Sequence, residues 1–257
     1  MSDLAALVLA AGAGTRLRPL TLLRPKALCP VGNVPLLDRV LATLPCRGPD
    51  DVAVNAHHLA EQIVAHVGAR AHLSVEQPRA LGTAGAVGAL RDWVAGRGLL
   101  VANADAYTSG VDVEAFVSTW DGERPQVLVV PAGERRVDFG GQWRFAGMSL
   151  LPWTDISRLA PEPAGLYEVV WREAEAAGRL GVVPTGAFFV DCGSPADYLR
   201  ANLHASGGES VVGAGARVEG ELVRSVVWPG GVVRRGERLV EAIRVGDDLT
   251  VDASLAG

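Results

Sequence analysis

The sequence predicts an α/β fold, a Rossmann-like, mainly parallel sheet with helices on both faces, followed by a short β-rich tail. Three observations predict it. Apolar runs alternate with runs of helical period over residues 1–205, and parallel strands need a crossover connection that is usually a helix. The first apolar run, Leu4 to Ala11, is continuous and ends in glycines, the pattern of a strand buried on both faces. Beyond the small, polar stretch Ala205 to Glu209, Val227, Val233, Leu239, Val245 and Val251 recur at every sixth position, with Val212 and Val218 in another register. A six-residue apolar period is the signature of a β-helix.

Taken in order, a proline-marked loop follows the first strand, and Pro35 to Leu44 carries apolar residues at 36, 37, 40, 41 and 44, a helical period. Strands are expected at Asp51 to Ala56, Ala71 to Val75, Gly98 to Asn103 and Gln126 to Pro131, separated by helices at Leu59 to Val67, Thr83 to Ala95 and Val113 to Trp120. Arg136 to Pro152 reads as short strands, Pro163 to Ala177 as a helix and Gly186 to Asp191 as a strand. Ser194 and Pro195 stand at the cap and first position of a helix reaching Ala205. The expected domains are therefore 1–205 and a β segment over 206–257.

Composition narrows the function. With 24 Lys and Arg against 29 Asp and Glu, the net charge is −5, so no basic field exists to hold nucleic acid. No uncharged stretch approaches the roughly 18–20 apolar residues that cross a bilayer. Three scattered cysteines, Cys29, Cys46 and Cys192, suit free thiols in a reducing compartment, and a cytoplasmic location is expected. The 31 glycines predict many tight turns.

The first strand exits into Gly12-Ala13-Gly14-Thr15-Arg16-Leu17. A dinucleotide fingerprint would require glycine at 17, and a P-loop would end in Gly-Lys-Ser/Thr; neither is present. What remains is a glycine-rich turn whose backbone can approach phosphates, with Arg16 and Arg18 beside it. Downstream, Pro25 and Pro30 stiffen the backbone around Lys26, and a lysine held this way loses little further entropy when it meets a phosphate.

The stretch from Leu9 to Leu37, with Arg24-Pro25-Lys26-Ala27-Leu28-Cys29-Pro30-Val31 at its centre, resembles the signature of the sugar-1-phosphate nucleotidyltransferases. Leu81-Gly82-Thr83-Ala84-Gly85, Asn103-Ala104-Asp105 and Asp191-Cys192-Gly193-Ser194-Pro195 extend the resemblance over most of the first 205 residues. Phe145 to Pro152 is most similar to the N-acetylmuramate-1-phosphate uridylyltransferase branch, and the tail with its six-residue period to mannose-1-phosphate guanylyltransferases and glucose-1-phosphate transferases. The resemblance implies a GT-A-like nucleotidyltransferase domain and a tail forming a short hexapeptide-repeat left-handed β-helix, through which a homo-oligomer could assemble.

It also implies the chemistry: a sugar-1-phosphate oxygen attacks the α-phosphorus of a nucleoside triphosphate and pyrophosphate leaves. The implied catalytic residues are Arg16, Lys26 and Asp105, and the implied Mg²⁺ ligands are Asp105 and Asp191. Ala11, Gly12, Gly14, Thr15, Arg16, Gln77, Gly82 and Thr83 would bind the nucleotide. Either Gln77 or Glu76 could face the base, the latter accepting from guanine N1 and N2 hydrogens. His57-His58 has no third ligand at suitable spacing and reads as the start of a helix. The Glu-Lys-Pro motif of longer members is missing between Val130 and Phe145, so no residue is assigned to the sugar. A noncatalytic relative that binds nucleotide sugars is the alternative, less consistent with retention of Arg16, Lys26, Asp105 and Asp191 together.

Overall fold

The computed structural model describes residues 4–254, in two compact units. The first holds the described residues up to Ala13 together with 40–104 and 108–189; the second holds 14–39, 105–107 and the described residues from Val190 onward.

The first unit is built on seven strands: β1 (Leu4–Leu9), β2 (Val52–Ala56), β3 (His72–Val75), β4 (Gly98–Asn103), β5 (Gln126–Pro131), β6 (Trp143–Leu151) and β7 (Gly181–Pro184). Their spatial order is β7-β5-β6-β4-β1-β2-β3. β1 is the hub, parallel to both neighbours, with Leu7 beside Ala53 on one side and Val101 on the other. Ala5 to Val8 are fully buried, as a strand covered on both faces requires. A core of Leu7, Val87, Leu99, Val101, Val127, Leu151, Val170 and Trp171 fills one side of the sheet.

The loose stretch expected at 136–152 is instead one nine-residue strand, β6, antiparallel to both β4 and β5. Its interruption by Gly147 and Ser149 hid it; burial between two neighbours decides the conformation. The expected helix Thr83 to Ala95 is broken at Leu90 into Gly82–Ala89 and Arg91–Val94. The one at 163–177 begins only at Tyr167, with a π-turn over Tyr167–Trp171 continued by Arg172–Ala176. β7 and a further short strand, Ala106–Ser109, had no periodic signal at all.

In the second unit the loop after the first strand contains a 3₁₀ turn Thr15–Leu17, a helical turn Leu20–Leu23 and a second 3₁₀ turn Lys26–Leu28. It then forms a hairpin, Pro30–Val31 against Val34–Pro35, closed by Gly32 and Asn33 at φ 55° and 64°, the left-handed pair that a tight hairpin turn uses. The helix Pro195–Ala205 is capped as expected: Ser194 Oγ accepts from the Asp197 amide. On this helix the fully buried Tyr198 donates its hydroxyl to the Pro30 carbonyl and accepts from Trp228 Nε1 at 3.0 Å.

The tail consists of short strand pairs in three sheets, parallel except for Ala242–Val245 against Leu249–Asp252. Val211 pairs with Val226 and Val226 with Ile243, offsets of 15 and 17 residues; Arg217 pairs with Val232, and Leu222 with Leu239. Val227, Val233 and Leu239 of the six-residue series are buried together in the tail's own core. Val212 and Val218 stand beside Val227 and Val233 in register but remain exposed. On the far side, Val227 is partnered by Arg244, not by Val245. Arg244 is buried, with its guanidinium donating to Val232 O, Asp247 O, Thr250 Oγ1 and Glu237 Oε1 at 2.8–3.2 Å, the saturation a buried cation needs.

Candidate active site

Four charged side chains named from the sequence meet in the second unit. Pro25 leads into the turn Lys26–Leu28, which leaves Lys26 only 6% exposed. Asp105 immediately precedes the strand Ala106–Ser109, and Asp191 ends the strand Phe188–Asp191; these two strands pair, and Cys192 N donates to Asp105 O at 3.2 Å. Residues far apart in sequence are thereby neighbours: Lys26 Nζ lies 3.1 Å from Asp105 Oδ2 and 2.9 Å from Asp191 Oδ1, and Arg16 Nη2 lies 3.2 Å from Asp191 Oδ2. The Arg16 side chain is 74% exposed, Asp105 47% and Asp191 27%, so the lysine is the buried centre of a cluster that opens to solvent on its other sides.

Burial is the largest single influence on Lys26 and works to lower its pKa, but the charges and hydrogen bonds of Asp105 and Asp191 together outweigh it and hold the ammonium above its ordinary value. At Asp191, burial works to raise the carboxyl, and Lys26 followed by Arg16 overcomes it, leaving it below the usual range. Burial pushes the nearby thiols of Cys29 up to about 12 and Cys192 higher still, away from the thiolate form.

Two glycines make the cluster sterically feasible. Gly14 adopts φ 57°, and a Cβ there would sit 2.8 Å from Thr21 Cγ2 and 3.2 Å from Lys26 Cβ; Thr21 Oγ1 donates back to the Gly14 carbonyl. At Gly193 a Cβ would come within 2.7 Å of Arg16 Nη2, so the absence of a side chain lets the guanidinium reach Asp191.

Asp105 and Asp191 are a fitting donor set for Mg²⁺, which takes one or two carboxylates and completes its shell with phosphate and water oxygens. Both already converge on one positive charge, Lys26 Nζ. Among the described residues no group of three or more His, Cys, Asp or Glu side chains could hold a metal ion.

The other expected nucleotide residues lie in the first unit, apart from Gly14, Thr15 and Arg16. Ala11 is buried and Gly12 exposed at the exit of β1, and a Cβ on Gly12 would meet nothing within 4 Å. Gln77 is exposed, whereas Glu76 is buried at 3% with both carboxylate oxygens occupied. Asn55 Nδ2 donates to Oε1 at 2.8 Å and Leu81 N to Oε2 at 2.7 Å. Glu76 is thus not free to read guanine, and Gln77 is the side chain turned outward. Gly82 adopts φ 70°, with the Ala164 carbonyl 2.5 Å from where a Cβ would be. Thr83 Oγ1 accepts from Leu166 N at 2.7 Å. The turn is therefore shaped partly by packing against 160–166. His57 begins the segment leading to the helix Ala60–Val67, its Nδ1 2.9 Å from the Glu76 carbonyl oxygen.

One cavity, about 170 Å³ and lined among others by Thr83, Asn103, Phe145, Ser149, Tyr167 and Trp171, also belongs to the first unit. Ser149 Oγ and Trp171 Nε1 are buried without a protein partner. Of these residues sequence reasoning assigned only Thr83, to the nucleotide. Phe145 and Ser149 lie on β6, which the sequence did not delineate.

Residues 5–138, which hold the strand-exit glycine loop, Lys26 and Asp105, match one family model, Nucleotidyl transferase. The chain belongs to this family. Among its relatives, the nucleotidyl transferase is 32% identical over 229 residues to the N-acetylmuramate alpha-1-phosphate uridylyltransferase of Caulobacter vibrioides, covering 76% of this chain and 94% of that one. It is 27% identical to the probable mannose-1-phosphate guanylyltransferase 2 of Arabidopsis thaliana, covering 76% of this chain and 63% of that one. In fold it is similar to a Thermus thermophilus protein named mannose-1-phosphate geranyltransferase, with a TM-score of 0.69 and 22% identity over 98% of this chain and 95% of that one. No helix among the described residues is long and apolar enough to cross a membrane.

Proposed function

We propose that the Lys26 cluster runs the reaction of the family: the chain transfers a nucleotidyl group from a nucleoside triphosphate to a sugar-1-phosphate, giving a nucleoside-diphosphate sugar and pyrophosphate. The observation that carries this is the convergence of Asp105 and Asp191 on the buried Lys26 Nζ at 3.1 and 2.9 Å. A pure binding module has no need to bury a lysine between two carboxylates.

Little covalent work falls to the protein in such a transfer. Two anionic substrates must be held in line and the charge on the transferring group neutralised. The attacking phosphate is already ionised, so no general base is needed. Lys26, with its ammonium held protonated by its two neighbours, stabilises charge at the transferring phosphorus from the sugar-phosphate side. Arg16, exposed and carrying a planar fork of donors, takes the α-phosphate and the departing pyrophosphate. Asp105 and Asp191 would hold Mg²⁺, which supplies charge neutralisation at the phosphate oxygens when bound.

In the first unit, the backbone at Ala11 and Gly12 accepts phosphate and Gln77 faces the base. The cavity lined by Thr83, Asn103, Phe145 and Trp171 takes the sugar ring, supported by the unpaired Ser149 Oγ and Trp171 Nε1 that a hydroxylated ligand could satisfy. The tail serves as a short hexapeptide-repeat coil and a surface for self-association.

The test is release of pyrophosphate by the purified protein with Mg²⁺ and a panel of triphosphates and sugar-1-phosphates. Asp105→Asn is expected to lower turnover by about 10²-fold or more, with an unchanged circular dichroism spectrum. Silence across the panel, with nucleotide-sugar binding still measurable, would move the protein to the noncatalytic class.

A further inference from the structure

We infer that Asn55 and Glu76 are positioning residues that set the spacing between the phosphate loop and the base turn. The inference rests on the nucleotide-binding reading above and deepens it. Three hydrogen bonds in series join three segments of the first unit. Ala10 N, at the exit of β1 and directly before Ala11 and Gly12, donates to Asn55 Oδ1 at 2.7 Å. Asn55 Nδ2, at the end of β2, donates to Glu76 Oε1 at 2.8 Å. Leu81 N, heading the helix Gly82–Ala89, donates to Glu76 Oε2 at 2.7 Å. Asn55 is 2% exposed and Glu76 3%.

The relay is itself anchored. Glu76 N donates to Ala56 O at 2.8 Å, and His57 Nδ1 meets the Glu76 carbonyl at 2.9 Å. Every side-chain polar atom of the pair that faces the two loops is therefore committed: a shift of Asn55 strands the buried Ala10 amide, and a shift of Glu76 the part-buried Leu81 amide. A carboxylate buried this deeply and matched only by amide donors is an unusual device for stability alone, since an apolar pair of similar shape would fill the space without desolvating a charge.

What the relay provides is a fixed distance. A nucleotide that lays its phosphates on Ala11 and Gly12 and its base beside Gln77 and Gly82 must bridge the two ends that the relay ties together. Losing the tie loosens nucleotide binding in ground and transition states alike, which raises KM for the triphosphate and spares kcat. It leaves the sugar-1-phosphate untouched, because none of the four residues lines the cavity.

The polarity of the relay can be reversed. Asn55→Asp alone sets two carboxylates face to face, and Glu76→Gln alone leaves two donors opposed at one link. In N55D/E76Q, the new carboxylate accepts from Ala10 N and from the new amide, whose oxygen accepts from Leu81 N, so all three bonds are available again. The experiment measures steady-state pyrophosphate release with UTP, GTP and dTTP, titrating triphosphate and sugar-1-phosphate separately, alongside thermal melts.

Each single variant is expected to raise the triphosphate KM about tenfold with kcat and the sugar-1-phosphate KM within about twofold, and the double variant to restore it. Folded single variants with a wild-type triphosphate KM would overturn the inference, as would equal effects on both substrates. Should the single variants fail to fold, the double variant decides: a wild-type triphosphate KM supports the relay, and a raised one refutes it. A wild-type protein that neither binds triphosphate nor releases pyrophosphate sinks the functional reading itself; an active wild type with indifferent variants sinks only the relay.

Discussion

Replacing Lys26 by Met removes the ammonium and keeps a stem of similar length in the buried slot. Two charge-assisted hydrogen bonds disappear, at 2.9 and 3.1 Å, each worth about 1.5–3 kcal/mol when well shielded. Asp105 is half exposed, and Asp191 is a quarter exposed and keeps Arg16. Water therefore recovers much of the loss, and a net destabilisation of about 2 kcal/mol is expected. For a chain of this size that corresponds to a melting temperature lower by about 4–8 °C.

The variant also leaves two neighbouring carboxylates without their shared cation. If these carboxylates hold Mg²⁺, the metal no longer competes with Nζ for their oxygens, and about 10 mM Mg²⁺ should close more than half of the gap by binding only the folded state. Calorimetric melts of wild type and variant in EDTA, in Mg²⁺ and in NaCl of matched ionic strength separate site binding from screening. A gap that Mg²⁺ and NaCl narrow equally would refute the metal assignment, and no gap at all would refute the stabilising role of the lysine.

Three further expectations can be checked on the same preparation. Gly193→Ala puts a methyl group 2.7 Å from Arg16 Nη2, the mobile end of an exposed side chain; melting should stay near wild type while turnover falls about tenfold or more, and wild-type turnover would show that Arg16 need not sit beside Asp191. Tyr198→Phe strands the Pro30 carbonyl and Trp228 Nε1, both hydrogen-bonded to the buried hydroxyl, so a loss of about 2–4 kcal/mol is expected in urea unfolding; an unchanged midpoint would mean water replaces the hydroxyl. Burial pushes the Cys29 thiol up to about 12 and that of Cys192 higher, which disfavours thiolate at either at about pH 8. Half-buried Cys46 should then take iodoacetamide first, as read by peptide mass spectrometry, and equally fast labelling of Cys192 would contradict its burial.

How much of this was legible in the sequence depended on whether the signal was local. Leu4–Leu9, Gly98–Asn103 and Gln126–Pro131 announce themselves because a strand covered on both faces is apolar throughout. The Ser194-Pro195 start is written in cap chemistry. The charge cluster was reachable because Arg16, Lys26, Asp105 and Asp191 each sit in a motif, although their convergence is a tertiary fact. β6 was not legible, since its conformation is imposed by two neighbours from elsewhere in the chain. The relay escaped for a similar reason: Asn55 is one polar residue in an apolar strand, and Glu76 reads from sequence as a candidate to face the base, whereas both of its oxygens are occupied within the protein. In the tail, the apolar period was right for Val227, Val233 and Leu239 and broke at the next step, where offsets of 15 and 17 residues bring Arg244 into the place Val245 was expected to fill.

The two ends of the tail's main sheet, Val211–Val212 and Leu249–Asp252, are finished differently, and this limits how such a segment can evolve. At one end Asn33 Nδ2 donates to the Val212 carbonyl at 2.9 Å, occupying an acceptor on the outermost strand. At the other, Leu249–Asp252 runs antiparallel to Ala242–Val245 and so reverses the winding direction. An additional parallel strand pair is therefore accommodated more readily between residues 213 and 241 than beyond either edge of that sheet. Insertions in that interval should leave the Asn33 clasp and the antiparallel closing strand in place.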